Sequence, residues 1–364
     1  MKLGYFMQPV HDPLKDYHLA LAEDTEAIIY ADQLGFDEAW VGEHLTTAAE
    51  PITSPLIFMA NLIARTQQIK FGTGVICLPQ YHPAVIAGYA AMFDHLSEGR
   101  FIMGVGPGGL PPDFELFGIM DADRSQMMVE SIDMILKIWE GEPPYKIKGD
   151  FWNTQVEDWH VDKLGLGRMV KPFQKPHPPI ALSALSPNSS TIRLAAKRDW
   201  DPISANFIGA WSVSSHWRVY AEECELNSRV ADNSRWRVAR SIFVADSDEE
   251  AENVVMEPNG SFMHYYEYLF EIFERSEMKA AIVVSPEDDP NQITPIGMVN
   301  NFVIRGSAET VTSQLIDFYN QVGGFGTILM TAHDWIDKVK MKRSMELMAT
   351  RVLPAVNQYL TASD

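Results

Sequence analysis

What most restricts the fold of this chain is a repeated order: an apolar run of strand length, then an amphipathic stretch of helix length. KLGYFM opens, and a helical pattern over residues 19–34 follows, closed by Gly35. FDEAWVGE precedes a helix over 55–65, IKFGTGVICL a helix over 83–96, and RFIMGVG a helix over 124–140. Residues 141–178, with GEPPYKIKGDFWN and KPFQKPHPP, break the rhythm and read as an insertion with a short hairpin or loops. The order resumes with PIALSAL and a helix over 188–198, DPISAN and a helix over 211–226, then WRVARSIFVA, and finally GFGTILM behind a helix over 308–321. Strands joined by helical crossovers run parallel with right-handed connections. Eight of them close a ring, so the expected fold class is α/β, a single (β/α)8 TIM barrel over residues 1–364. An open doubly wound sheet is the competing architecture. A second insertion, residues 276–301, separates the seventh strand from the last helix; its length, mixed character and prolines mark a functional loop.

Composition narrows the function. Hydrophobic residues make up 46% of the 364 positions, enough for a large core. The balance of 29 basic against 49 acidic residues gives a net charge of −20, which argues against a nucleic-acid partner or an anionic-membrane surface. No apolar run approaches the ~20 residues of a membrane helix. The first residues carry too short an apolar run for a signal peptide. Cys77 and Cys224 have no metal spacing and read as reduced thiols, so the expected compartment is the cytoplasm.

In RFIMGVGPGG, Gly104, Gly106 and Gly109 spell the G-x-G-x-x-G of a dinucleotide fingerprint. That motif requires a helix to start at the glycines, and Pro111-Pro112 is expected to forbid one. The glycines instead suit backbone that approaches a flat group at a strand's carboxyl end, where barrel enzymes keep their sites. The other strand ends present Met7 and Gln8, Glu43 and His44, Thr73 to Val75, Ser183 to Leu185, Ser204 to Asn206, and Met330 to His333. This rim reads as sparse in charge, with no metal-ligand spacing, and suited to a large apolar ring system with one polar tail. His44 is the acid/base candidate, because an imidazole titrates near working pH. Glu43, its neighbour, is expected to face away and form a structural ion pair. SALSPNSS sets hydroxyls before a helix, a phosphate-binding arrangement, with Arg124 in position to assist. His82 reads as a structural contact, and the rings of WDPISANFIGAWSVSSHW as mostly core.

The ordered run through LGFDEAWVGEHLT, FGTGVICLPQYHPAVIAGYAAMFDHLSEGRFIMGVGPGG, DFELFG and GFGTILMTAHDW resembles the bacterial-luciferase-like, flavin-dependent monooxygenases, nearest the limonene-monooxygenase-like branch. The resemblance implies a two-component enzyme. A separate NAD(P)H:flavin reductase would supply FMN as FMNH2, and a C4a-peroxyflavin formed with O2 would transfer one oxygen atom to a small apolar organic substrate such as a terpene, ketone or aldehyde. It gives His44 the catalytic role. It sets Met7, Thr73, Gly74, Val75 and Gly106 at the flavin, with a non-proline cis bond at Gly74-Val75. It assigns the phosphate to Ser183, Ala184, Leu185, Ser186 and Arg124. Pro107 departs from the family, standing where luciferase carries a phosphate-contacting arginine. The resemblance further implies a mobile lid at 276–301 and a homodimer through the second and third helices. An F420-dependent oxidoreductase on the same barrel and a non-catalytic flavin-binding subunit are the rival readings.

Overall fold

The computed structural model describes residues 1–363. Twelve strands occur in the described chain: β1 Lys2–Met7, β2 Glu38–Val41, β3 Lys70–Thr73, β4 Ile76–Cys77, β5 Phe101–Gly106, β6 Tyr145–Lys148, β7 Asn153–Val156, β8 Ile180–Ala184, β9 Asp201–Ser204, β10 Arg237–Val244, β11 Val303–Gly306 and β12 Thr327–Thr331. Eight of them, in the order β1-β2-β3-β5-β8-β9-β10-β12, pair in parallel and close into a barrel through β12 and β1. The helices are α1 Tyr17–Gln33, α2 Pro55–Ala60, α3 Pro83–Leu96, α4 Pro111–Leu116, α5 Arg124–Glu140, α6 Ser190–Lys197, α7 Ala210–Leu226, α8 Asp248–Val255, α9 Ser261–Arg275, α10 Pro295–Phe302, α11 Ala308–Val322, α12 Lys338–Leu347 and α13 Leu353–Ser363.

Two cores follow from strand alternation. One packs strands against helices. The other lies inside the ring and consists of Trp40, Ile102, Ala181, Ile203, Ala239 and Leu329, with Phe6 against it. The Trp40 indole plugs the barrel's centre, and Gly72 leaves it room: a Cβ there would lie 2.4 Å from the ring. Below the plug, Trp40 donates its indole N–H to Glu38 at 2.9 Å, and Arg237 bridges Glu38 and Asp201. This end of the barrel is closed.

Several sequence expectations need correction. The helix expected over 55–65 stops at Ala60 and resumes as a 3-10 turn over Ile63–Arg65. IKFGTGVICL is two strands, β3 and β4, divided at Gly74-Val75. Pro111-Pro112 does not forbid a helix but opens α4, since the first turn needs no N–H donors. The fingerprint still fails, because Gly104 and Gly106 are strand residues and α4 has only six residues. The expected hairpin within 141–178 forms as β6–β7, held by the Glu130 carboxylate accepting from the amides of Asp150, Phe151 and Trp152 at 2.7–2.9 Å. Residues 276–301 are not one loop: 3-10 turns over Lys279–Ile282 and Pro290–Gln292 lead into α10, with Met298, Val299 and Phe302 buried. The amphipathic α9 and the strand β11, which pairs with β10 outside the ring, were not expected. The periodic signal of short segments inside a long connection is weak, and tertiary packing decides them.

Candidate active site

Strand alternation carries the inward row past Trp40 to the open rim, so that Gln8, Gly42, His44, Gly74, Gly106 and Ser183 stand there. The Gly74-Val75 peptide is cis, and both residues are half-buried. A Cβ on Gly106 would lie 2.6 Å from Val75 Cγ2, and one on Gly74 2.9 Å from the Phe6 ring. Backbone and small groups thus line this wall, which fits a planar ring laid against it.

His44 faces the wall's edge. Its Nδ1 is 3.3 Å from Asp113 Oδ2, and its Nε2 is 2.8 Å from the Gln8 amide nitrogen and 3.5 Å from Glu50 Oε2. Gln8 reaches it by passing over Gly42, where a Cβ would lie 2.7 Å from the Gln8 side chain. The Gln8 N–H donates to Nε2, so the neutral ring carries its proton on Nδ1 and donates it to Asp113. Asp113, at the start of α4, also accepts from the Leu45 amide at 3.2 Å and from the Thr46 hydroxyl. Burial by itself would push the imidazole down. The carboxylates of Glu50, Asp113 and Glu43 outweigh it and hold His44 above the ordinary histidine value. Asp113 is held below the usual carboxylate range: burial opposes this, but the His44 and Thr46 hydrogen bonds prevail. The rim is therefore not sparse in charge, as its sequence suggested. Three carboxylates gather around one imidazole.

Glu43 forms no ion pair among the described residues, contrary to expectation. It is buried, accepts from the Cys77 amide at 3.2 Å and from the Tyr81 hydroxyl, and burial pushes it up to about 7. Met7 packs behind β1 and lines the narrow cavity beside Gln8 and His44. The Thr73 hydroxyl is spent on the Gly104 carbonyl at 2.7 Å. Ser183 and Leu185 are half-buried, Ala184 buried and Ser186 exposed. Arg124 lies over the Phe114 ring, 3.9 Å from its centroid, and donates to the carbonyls of Ile119 and Met120; it has no hydrogen bond to the Ser183–Ser186 loop. His82 caps α3 and meets the Asn153 carbonyl, a structural contact as expected.

Sequence reading assigned no role to Gln8, Glu50 or Asp113. Only Asp113 left a signal, an acid in the first turn of a proline-headed segment. The other buried histidines are spent elsewhere: burial pushes His216 down to about 4 and His333 to about 3. His11, Glu23 and Asp334 could together hold a metal, but the Lys15 ammonium lies among them, 2.9 Å from Glu23 and 2.5 Å from Asp334.

Comparison with known proteins bears on the family and the barrel. The model of the luciferase-like monooxygenase family matches residues 1–324. The chain is 32% identical over 369 residues to 4-hydroxyprotoasukamycin monooxygenase of Streptomyces nodosus subsp. asukaensis, covering 98% of this chain and 92% of that one. It is 30% identical over 355 residues to limonene 1,2-monooxygenase of Rhodococcus erythropolis, covering 97% and 86%. The oxygenating constituent of 3,6-diketocamphane monooxygenase from Pseudomonas putida, a type II Baeyer–Villiger monooxygenase solved in complex with FMN, superposes with a TM-score of 0.88 at 29% identity, covering 97% of this chain and 98% of that one. The resemblance read from the sequence and the barrel agree: the chain belongs to the luciferase-like monooxygenase family.

Proposed function

We propose that this flavin-dependent monooxygenase is the oxygenase component of a two-component system. A separate NAD(P)H:flavin reductase supplies reduced FMN, and one atom of O2 enters a small, largely apolar organic substrate such as a terpene, ketone or aldehyde. The observation that carries this reading is His44 held among Gln8, Glu50 and Asp113 at the edge of a wall made of Gly74, Val75 and Gly106. The flat wall would receive the isoalloxazine, and the Ser183–Ser186 loop before α6 the phosphate, with Pro107 giving no charge and Arg124 called on only if it leaves the Phe114 ring. Bound there, reduced FMN supplies the electrons that activate O2.

The residues of the chain bind, exclude water and manage protons. His44 holds a proton because Glu50 and Asp113 favour the imidazolium, and its Nε2 exchanges that proton as the Gln8 amide turns from donor to acceptor. Residues 276–301 lean on the first turn of α7, where the Trp211 indole N–H donates to the Val283 carbonyl at 3.3 Å, and act as a lid against water. Two copies associate through α2 and α3, where Ile57 and the stripe Val85, Tyr89, Met92 and Leu96 are exposed at helical spacing. Buried, unpaired Cys77 and Cys224 suit the cytoplasm. Relatives near 30% identity along nearly the whole chain are oxygenases, which favours this reading over an F420-dependent one.

His44→Ala tests it directly. Product formation should fall ~10²–10⁴-fold, while the variant still folds and binds FMN. Near-normal turnover would remove the histidine from the chemistry.

A further inference from the structure

The Ser183–Ser186 loop is fixed from behind by a chain of hydrogen bonds that starts on the far side of the barrel wall. The Trp236 indole N–H donates to Ser204 Oγ at 3.0 Å. Ser204 Oγ lies 2.9 Å from His216 Nδ1, and His216 Nε2 lies 2.9 Å from the Ser186 carbonyl oxygen. All three side chains are buried and belong to β9, α7 and the turn entering β10.

For a neutral imidazole, donor and acceptor roles leave one solution. An indole N–H only donates and a carbonyl only accepts. Ser204 therefore accepts from Trp236 and gives its single hydroxyl proton to Nδ1. The imidazole proton must then sit on Nε2 and point at Ser186. A neutral ring fits this chain, and burial keeps His216 neutral at working pH. The neighbouring α7 side chains hold the next residues: Ser215 Oγ accepts from the Asn188 amide at 2.9 Å, and Arg218 donates to the Asn188 side-chain oxygen. Asn188 itself sits in the left-handed region with φ 54°, so the turn into α6 has a specific shape that α7 enforces.

We propose that His216 is a positioning residue for the cofactor's phosphate. By holding the Ser186 carbonyl inward, it aims the hydroxyls and amides of the Ser183–Ser190 turn at the rim. The inference rests on the reading that this turn receives the phosphate of FMN. Its consequence is selective: the phosphate contributes to FMN binding and is missing from riboflavin, so only FMN should feel the loss of His216.

Dissociation constants of oxidised FMN and of riboflavin, measured by fluorescence quenching on the full chain, provide the test. His216→Leu, which leaves the Ser186 carbonyl buried without its donor, should weaken FMN about tenfold and riboflavin less than twofold. His216→Gln offers an N–H at the Nε2 position and should restore most of the FMN affinity. Should His216→Leu not fold, Ser204→Ala cuts the chain one bond earlier and should shift the FMN-to-riboflavin ratio in the same direction by a smaller factor. Equal weakening of both flavins, or of neither, overturns the role of His216. A Ser183→Ala/Ser186→Ala double variant separates the two levels. If it lowers the ratio while the His216 variants do not, the positioning role alone falls; if it leaves the ratio unchanged, the phosphate lies elsewhere and both fall.

Discussion

At the closed end of the barrel, Arg237 lies between Glu38 and Asp201 with N–O distances of 2.6–2.8 Å, and its guanidinium covers the Trp40 ring at 5.1 Å. At the open end, His44 faces Glu50 and Asp113, with Glu43 beside it, and no arginine or lysine forms an ion pair with any of them among the described residues. One strand, β2, joins the two: it starts at Glu38 and leads past Trp40 to His44. Below the Trp40 plug, Arg237 and Arg235, whose Nε donates to Asp201 at 2.8 Å, match the two carboxylates of Glu38 and Asp201. Above it, acid outnumbers base, and both His44 and Glu43 are drawn toward the pH at which they exchange protons. The matched charges and the proposed site thus lie at opposite ends of one barrel, as barrel architecture favours.

The sharpest way to break this contrast is to remove the matching cation. Arg237→Leu strands the buried Glu38 without a cation and leaves Asp201 with Arg235 alone, and should cost ~3–5 kcal/mol in chemical denaturation. Flavin affinity and the titration of His44 should stay unchanged, because the plug separates the two ends. A loss below ~1 kcal/mol would show that the closed end is not where the barrel keeps its stability.

Glu43 should show the opposite behaviour, a carboxyl that destabilises when ionised. Its folded value of about 7 lies above the ordinary carboxylate value, so the folded state holds the proton more tightly than the unfolded one. The stabilising contribution is complete at pH values below the ordinary carboxylate range and is lost as pH rises through 7. Glu43→Gln keeps an oxygen for the Cys77 amide, turns an N–H toward the Tyr81 hydroxyl oxygen, and has no charge to bury. It should match the parent protein near pH 4 and exceed it by ~3 kcal/mol at pH 8. A pH-independent difference would mean that Glu43 is ionised throughout, with a partner beyond those it shows.

The two ends were not equally legible in the sequence. Hydrophobic periodicity is a local property, so the eight barrel strands and most of the helices between them could be read from it, down to the ends of α3 and α5. His44 was legible because it follows a strand directly, and the glycine wall because glycines cluster there. The acids around His44 were not. Asp113 lies 69 residues away on a short helix, and nothing near Asp113 marks it as a partner of a histidine. Glu38 and Arg237 are separated by 199 residues, so their pairing exists only once β2 and β10 face the same interior. His216 reads as one more polar residue in a tryptophan-rich helix until the fold sets Ser204 and Ser186 on its two nitrogens.

The smallest effect tests whether the acid excess at the rim tunes His44. Asp113→Asn keeps an oxygen for the Leu45 amide and the Thr46 hydroxyl but removes the charge 3.3 Å from Nδ1. The His44 ring, followed by NMR, should then titrate lower, though Glu50 and Glu43 remain to hold part of the rise. The stability effect has a window set by both groups. The raised value of His44 stabilises the fold below its ordinary value and is lost as pH rises through the folded value. The lowered value of Asp113 stabilises the fold above the ordinary carboxylate value and is lost as pH falls through the folded one. The variant should therefore fall furthest behind the parent protein near pH 5.5, and by less at pH 3 and at pH 9. A constant deficit across that range, with His44 titrating as before, would show that Asp113 holds the loop after β2 in place and leaves the proton alone.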